Sequence, residues 1–262
     1  MGAHERWNAL LEMVARDGSV EVADAARELA VSAATIRRDL DQLAQQQMLT
    51  RTRGGATANS VSYDLPLRYK SARRASEKEL IAKAAAALIP AGAVVGLNGG
   101  TTTTEVARAL ATRSGLEAQA GTEPTLTVVT NALNIANELI VRRHIKIVVT
   151  GGVARPQSYE LIGPLATRLL GELSLDQVCL GVDGLSVRHG ATAYNEGEAS
   201  INQLMVERAR EVIVVADSSK LGRHAFARVC PIARVDVLVT DAAADPATVR
   251  ALTEAGVRVV TT

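Results

Sequence analysis

Residues 31–56, VSAATIRRDLDQLAQQQMLTRTRGGA, place an amphipathic helix directly before a short basic hairpin. Ser32 suits a helix N-cap, because its hydroxyl can accept a hydrogen bond from a free backbone N–H of the first turn. Ile36, Leu40 and Leu43 follow at helical spacing and define the stripe that faces inward. With that stripe buried, Ser32, Ala33, Thr35, Arg37 and Arg38 gather on the N-terminal half of the helix, part of the set facing outward. In helix-turn-helix docking, this end of the recognition helix meets base edges in the DNA major groove.

The flanks supply the support such a helix needs. Residues 6–16 carry Leu10, Leu11 and Val14, and residues 22–30 carry Val22, Ala26 and Leu29, so two short helices are expected beneath the third. Residues 48–53 alternate apolar with polar or basic side chains and run into Gly54-Gly55, which predicts a strand entering a tight turn. Together these features read as a winged helix-turn-helix, with Arg51 and Arg53 on the wing. The competing reading is a plain three-helix bundle with solvated arginines, and charge placement weighs against it. Between residues 32 and 74 there are eight basic residues (Arg37, Arg38, Arg51, Arg53, Arg68, Lys70, Arg73, Arg74) against three acidic ones (Asp39, Asp41, Asp64). The earlier helices instead hold acid: Glu5, Glu12, Asp17, Glu21, Asp24 and Glu28. Segregation of this kind creates a local positive face for phosphate, although the formal net charge of the whole chain is only +1.

Residues 20–56 resemble the N-terminal DNA-binding domain of the DeoR family of bacterial transcriptional regulators, through the run VSAATIRRDLDQL and the closing RTRGGA. The resemblance implies double-stranded operator DNA as a partner. Gln47 stands where that family commonly has a glycine before the wing, and Arg53 where a histidine is common.

At 262 residues the chain has room for this small module and one larger domain with its own core. The expected division is a winged helix-turn-helix over 1–57, a polar linker over 58–75 and an α/β domain over 76–262. Cys179 and Cys230 have no metal-binding spacing and form no disulfide framework, and Cys179 sits in an apolar run that suits a buried thiol. No metal and no cofactor is expected. The first residues lack an apolar signal core and no apolar run approaches the ~20 residues of a bilayer span, so a cytoplasmic protein without membrane contact is expected.

Downstream of a helix expected at 76–89, β-branched runs at 93–97, 126–130, 145–150, 177–181, 211–216, 235–240 and 257–260 alternate with helical segments at 102–112, 132–142, 161–170, 198–210 and 246–255. Such alternation predicts a mostly parallel sheet covered by helices on both faces. The polar and glycine-rich residues collect where strands end. Asn98-Gly99-Gly100-Thr101-Thr102 leads from a strand into a helix, where glycines admit an anion, free N–H groups donate to it and hydroxyls add donors. Thr130-Asn131, Gly151 and Gly152 with Arg155, Gly181-Val182-Asp183-Gly184, and Asp217-Ser218-Ser219-Lys220 also follow strands. Carboxyl ends of parallel strands share one edge, the usual ligand crevice, so an anionic small molecule is expected there rather than five unrelated caps.

This region resembles the DeoR-family sensor domain through GGTT at 99–102, VVTN at 128–131, TGG at 150–152, GVDG at 181–184 and ADSSK at 216–220. The resemblance implies an α/β fold related to phosphosugar isomerases and a phosphorylated sugar or polyol as effector. It further implies phosphate at Gly100, Thr101 and Thr102 with Lys220 as cationic partner, and sugar hydroxyls near Asp183, Asn195, Glu198 and Asp217. Asn98 occupies a position where the family commonly has aspartate, and an amide can orient a hydroxyl but cannot act as a carboxylate base. The function expected is a repressor of a sugar or polyol operon, released by its effector and acting as a homo-oligomer, dimer or tetramer, on repeated half-sites. The alternatives are an isomerase- or deaminase-like enzyme with an appended DNA-binding module, or a DNA binder that senses nothing. His144, His189 and His224 lie in no recognisable acid–base motif, which disfavours the enzyme.

Overall fold

The computed structural model describes residues 2–45, 48–57, 67, 74–118 and 124–262. Gln47, the linker expected at 58–75 apart from Leu67, Arg74 and Ala75, and the charged residues Asp64, Arg68, Lys70 and Arg73 lie outside the described residues. The chain divides into two compact units, Met1–Ala72 and Arg73–Thr262.

The first unit runs α1 (Ala3–Asp17), β1 (Ser19–Glu21), α2 (Val22–Glu28), α3 (Ala33–Gln45), β2 (Thr50–Arg51) and β3 (Gly55–Thr57). Leu10, Leu11 and Val14 of α1, Val22 and Ala25 of α2, and Ile36, Leu40 and Leu43 of α3 meet in one core with Met48 and Leu49. The wing differs in detail from the sequence expectation. Its turn spans Thr52 to Gly54, Gly55 already belongs to β3, and β3 is central in the order β1-β3-β2. β1 has too few residues to show a period of two. Glu21 pairs with Gly55 in that sheet, and a Cβ at position 55 would collide with the Val20 carbonyl, so glycine there permits the pairing.

The second unit opens with α4 (Ala75–Ala87) and continues through β4 (Val94–Leu97), α5 (Thr101–Ala111), α6 (Ser114–Ala118), β5 (Leu126–Thr130), α7 (Leu133–Leu139) and β6 (Ile145–Val149). A small hairpin, β7 (Val153–Ala154) and β8 (Leu161–Ile162), precedes α8 (Pro164–Gly171) and β9 (Leu175–Gly181). Then come β10 (Gly184–Ser186), β11 (Gly190–Ala193), α9 (Glu196–Arg208), β12 (Ala209–Val215), β13 (Ala227–Cys230), β14 (Val237–Thr240), α10 (Pro246–Glu254) and β15 (Arg258–Thr261). The helix expected at 161–170 begins later, because Leu161 and Ile162 pair as a strand and Gly163-Pro164 starts the helix with proline in its first turn.

Seven strands form one all-parallel sheet in the order β15-β14-β12-β9-β4-β5-β6. Alternate residues of β12 feed opposite cores: Ile213 and Val215 pack with α4, α5 and α7, while Val212 and Val214 pack with α8, α9 and α10. The chain leaves β4 toward β5 and β6, then returns to β9 on the other side of β4. That reversal makes the carboxyl ends of β4 and β9 the switch point of the sheet, where ligands of open parallel sheets bind. A separate antiparallel sheet, β10-β11-β13, continues from β9 beside this edge.

Candidate functional site

In the first unit the outward end of α3 is built on its cap. The Ser32 hydroxyl accepts the Thr35 N–H at 3.1 Å and shares a 2.9 Å hydrogen bond with the Thr35 hydroxyl, which satisfies a first-turn donor. Ser32, Arg37 and Arg38 are exposed, Thr35 is half-buried, and Ala33 packs partly against the core. Arg53 is exposed at the wing turn. Arg51 is committed locally: its Nε donates to Asp41 Oδ1 at 2.7 Å and its Nη1 donates to the Gly55 carbonyl, tying α3 to the wing. Asp39, which the sequence reading treats only as a charge, is buried on the inner face of α3. Arg6 grips its carboxylate through Nε at 2.8 Å and Nη2 at 3.1 Å, and Trp7 Nε1 donates to it at 2.9 Å. Its spacing of three from Ile36 and four from Leu43 is the signal that would have placed it inside.

In the second unit the crevice is pinned by Asn98. Its Nδ2 donates to the Gly181 carbonyl at 3.0 Å and its Oδ1 accepts the Gly181 N–H at 2.8 Å, joining the ends of β4 and β9. Gly100 caps α5, and no side chain caps that helix, so the first-turn N–H groups remain open at the strand edge. The Thr103 and Thr104 hydroxyls turn back to the Gly100 carbonyl at 3.1 and 2.6 Å. Thr101 is half-buried and Thr102 buried beside them.

The facing wall comes from the hairpin. Glu160, which the sequence reading overlooked, lies buried against Gly99 so closely that a Cβ there would strike its side chain. Asn131 Nδ2 donates to Glu160 Oε2 at 2.8 Å and to the Leu161 carbonyl at 3.3 Å. Burial first, then the charges of Glu198 and Asp183, push the Glu160 carboxyl up to about 8, against the pull of Asn131 and Arg155. Arg155 Nη1 contacts Glu198 Oε1 at 3.0 Å, and Lys220 Nζ lies 3.8 Å from Asp183 Oδ1. Gly99 and Asn131 thus touch Glu160 directly, the charges of Glu198, Asp183 and Arg155 act on it, Lys220 pairs with Asp183, and Asn98 binds Gly181.

The remaining predicted positions sit at its margin. Asn195 caps α9 by accepting the Glu198 N–H at 3.1 Å. Asp217 accepts the Ser219 N–H at 3.0 Å and so shapes the turn that carries Lys220. Gly151 is exposed and Gly152 packs on the Ile162 backbone.

Residues 6–62 match the DeoR-like helix-turn-helix domain and residues 73–242 match the DeoR C terminal sensor domain. The chain belongs to the DeoR family. It is 33% identical over 250 residues, 95% of each chain, to the glycerol-3-phosphate regulon repressor of Escherichia coli K12. Another DeoR-type relative is the HTH-type transcriptional regulator GlpR of Haloferax volcanii, 34% identical over 98% of this chain and 96% of that one. Among solved structures, ribose 5-phosphate isomerase A from Methanocaldococcus jannaschii is 21% identical with a TM-score of 0.40, covering 55% of this chain and 52% of that chain. Among the described residues no helix is long and apolar enough to cross a membrane, and no group of three or more His, Cys, Asp or Glu is placed to hold a metal ion.

Proposed function

We propose that this chain is a transcriptional repressor of a sugar or polyol operon, released from double-stranded operator DNA by a phosphorylated sugar or polyol. The observation that carries the reading is the pairing, in one DeoR-family chain, of a capped helix exposing Ser32, Arg37 and Arg38 with an uncapped helix N-terminus at a parallel-sheet switch point. Arg37 and Arg38 read bases, and Arg53 meets phosphate. Arg51 acts mainly by fixing the wing to Asp41. In the crevice, Gly100, Thr101 and Thr102 hold phosphate with Lys220 as the nearby cation, while Asp183, Glu198 and Arg155 face the hydroxyl-bearing end. Asn195 and Asp217 act as caps that position Glu198 and Lys220. Asn98 supplies no proton-transfer group, since both polar atoms of its amide are taken by Gly181, which supports sensing over turnover. The named relative that represses a glycerol-3-phosphate regulon supports a phosphorylated polyol as the effector class.

The test selects a binding site from random duplex DNA with the full chain and measures affinity at fixed salt. Arg37→Ala and Arg38→Ala are each expected to cost about 1–3 kcal/mol and to relax base preference. Arg53→Ala is expected to weaken all sequences alike and to flatten the salt dependence. Unchanged isotherms for all three variants would remove the groove assignment. A phosphosugar that binds without altering operator affinity would remove the release step.

A further inference from the structure

We infer that Arg74 couples the effector site to the linker: its guanidinium grips the turn that carries Lys220, so that effector binding and the entry of the chain into α4 change together. This role rests on the reading of residues 99–102 and Lys220 as a phosphate site and adds how that site reaches the linker.

Arg74 stands where the expected linker passes into α4, and its carbonyl accepts the Lys78 N–H at 3.1 Å. Its backbone is left-handed, with φ 50° and ψ 45°. A residue that carries a side chain keeps this conformation only where its surroundings over-determine it. The guanidinium supplies such contacts. Nη1 donates to Ser218 Oγ at 2.8 Å, Nε lies 3.8 Å from Asp217 Oδ1, and Nη1 lies 3.9 Å from Asp241 Oδ1. Both carboxylates are buried, so they call for a cation, and Arg74 is the one that pairs with them among the described residues.

The gripped residues form one short block. Asp217 Oδ1 accepts the Ser219 N–H at 3.0 Å, the Asp217 carbonyl accepts the Lys220 N–H at 3.0 Å, and Asp241 Oδ2 accepts the Ser218 N–H at 2.6 Å. Lys220 closes the same three-residue turn, Ser218–Lys220, and its Nζ lies 3.8 Å from Asp183 Oδ1. A phosphate at residues 100–102 competes with Asp183 for that ammonium. So short a turn has little slack, and a shift of Lys220 reaches Ser218 and, through its hydroxyl, Arg74. Residue 74 then either keeps its left-handed backbone or relaxes from it, which redirects the chain entering α4. An element with two arrangements, biased from both sides, is what allosteric coupling requires.

The experiment measures operator affinity of the full chain by fluorescence anisotropy at fixed salt, on a duplex selected from random DNA, with and without saturating glycerol 3-phosphate or sorbitol 6-phosphate. Wild type is expected to bind operator about tenfold more weakly with at least one of these probes. Arg74→Gly and Ser218→Ala are expected to bring that ratio toward one. Operator affinity without probe, and probe affinity without DNA, are expected to stay within about threefold of wild type. Glycine adopts left-handed backbone freely, so Arg74→Gly removes the grip without straining residue 74, while Ser218→Ala removes the acceptor and leaves every charge in place. A wild-type ratio in both variants overturns the inference. So does loss of probe affinity with the ratio intact, because Arg74 would then only shape the turn. If neither probe shifts wild type, the release reading falls and takes the inference with it, an outcome seen before any variant is made.

Discussion

At Asn98 a carboxamide performs a task closed to the aspartate common at this position in the family. It donates to the Gly181 carbonyl and accepts the Gly181 N–H at once, whereas an ionised carboxylate only accepts. The amide therefore trades a potential base for a fixed seam between β4 and β9. Glu160 faces the converse situation, an acid held in a place that disfavours its charge. Its carboxyl rises from an ordinary 4.5 to about 8 on folding, so the folded chain holds this proton more tightly than the unfolded chain. The resulting stability is fully present below about pH 4.5 and is lost as pH climbs toward 8. Thermal melts of wild type and Glu160→Gln should therefore diverge across that window, wild type losing ground by on the order of a few kcal/mol. A difference that stays flat from pH 5 to pH 8 would show that burial does not hold the proton. Asn98, Asp183 and Lys220 were legible in the sequence because they follow strands whose β-branched runs announce themselves. Glu160 was not, since it lies in a hairpin whose strands have two residues each, too short for any period to show.

Helix α3 is held by a partner 33 positions away in sequence, Arg6 on α1, clamped to Asp39 by two hydrogen bonds with Trp7 adding a third. A bidentate guanidinium–carboxylate pair fixes angle as well as distance, so the exposed Arg37 and Arg38 inherit their aim from a buried contact on the opposite face. Asp39→Ala is expected to lower the melting temperature of the first unit and to weaken operator binding although Asp39 is buried on the inner face of α3. Trp7, the chain's single tryptophan, supplies the readout, because losing its indole partner should shift its emission. Unaltered fluorescence together with unaltered binding would show that the clamp does not orient α3. The seven parallel strands, marked by β-branched runs, and α3, marked by its helical period, are legible in the sequence. β1 and the β10-β11-β13 sheet are not: Ser19–Glu21 holds one buried residue, and Gly184–Ser186 and Gly190–Ala193 lack the β-branched runs that mark the parallel strands. The start of α8 falls later than its apolar pattern suggests: Leu161 and Ile162 continue that pattern, yet their backbones pair with Ala154 and Val153.

For the whole molecule, a sensor that releases DNA must obey reciprocity. An effector can shift the chain away from operator only if it binds the DNA-free arrangement more tightly than the DNA-bound one. Operator must then weaken effector binding by the same factor, and a coupling of about 1–3 kcal/mol corresponds to roughly 5–150-fold in each direction. Both halves are measurable on the full chain: operator affinity with and without saturating polyol phosphate, and polyol phosphate affinity with and without saturating operator. Equal factors are expected. Arg37→Ala, whose side chain lies in the first unit, should weaken operator while leaving effector affinity in the absence of DNA unchanged, and Lys220→Ala, in the second unit, should do the reverse. The two variants thus separate loss of a ligand contact from loss of coupling. If operator left effector affinity untouched while effector still displaced operator, the two events would not share one equilibrium, and displacement by simple competition at the DNA surface would replace release through the sensor.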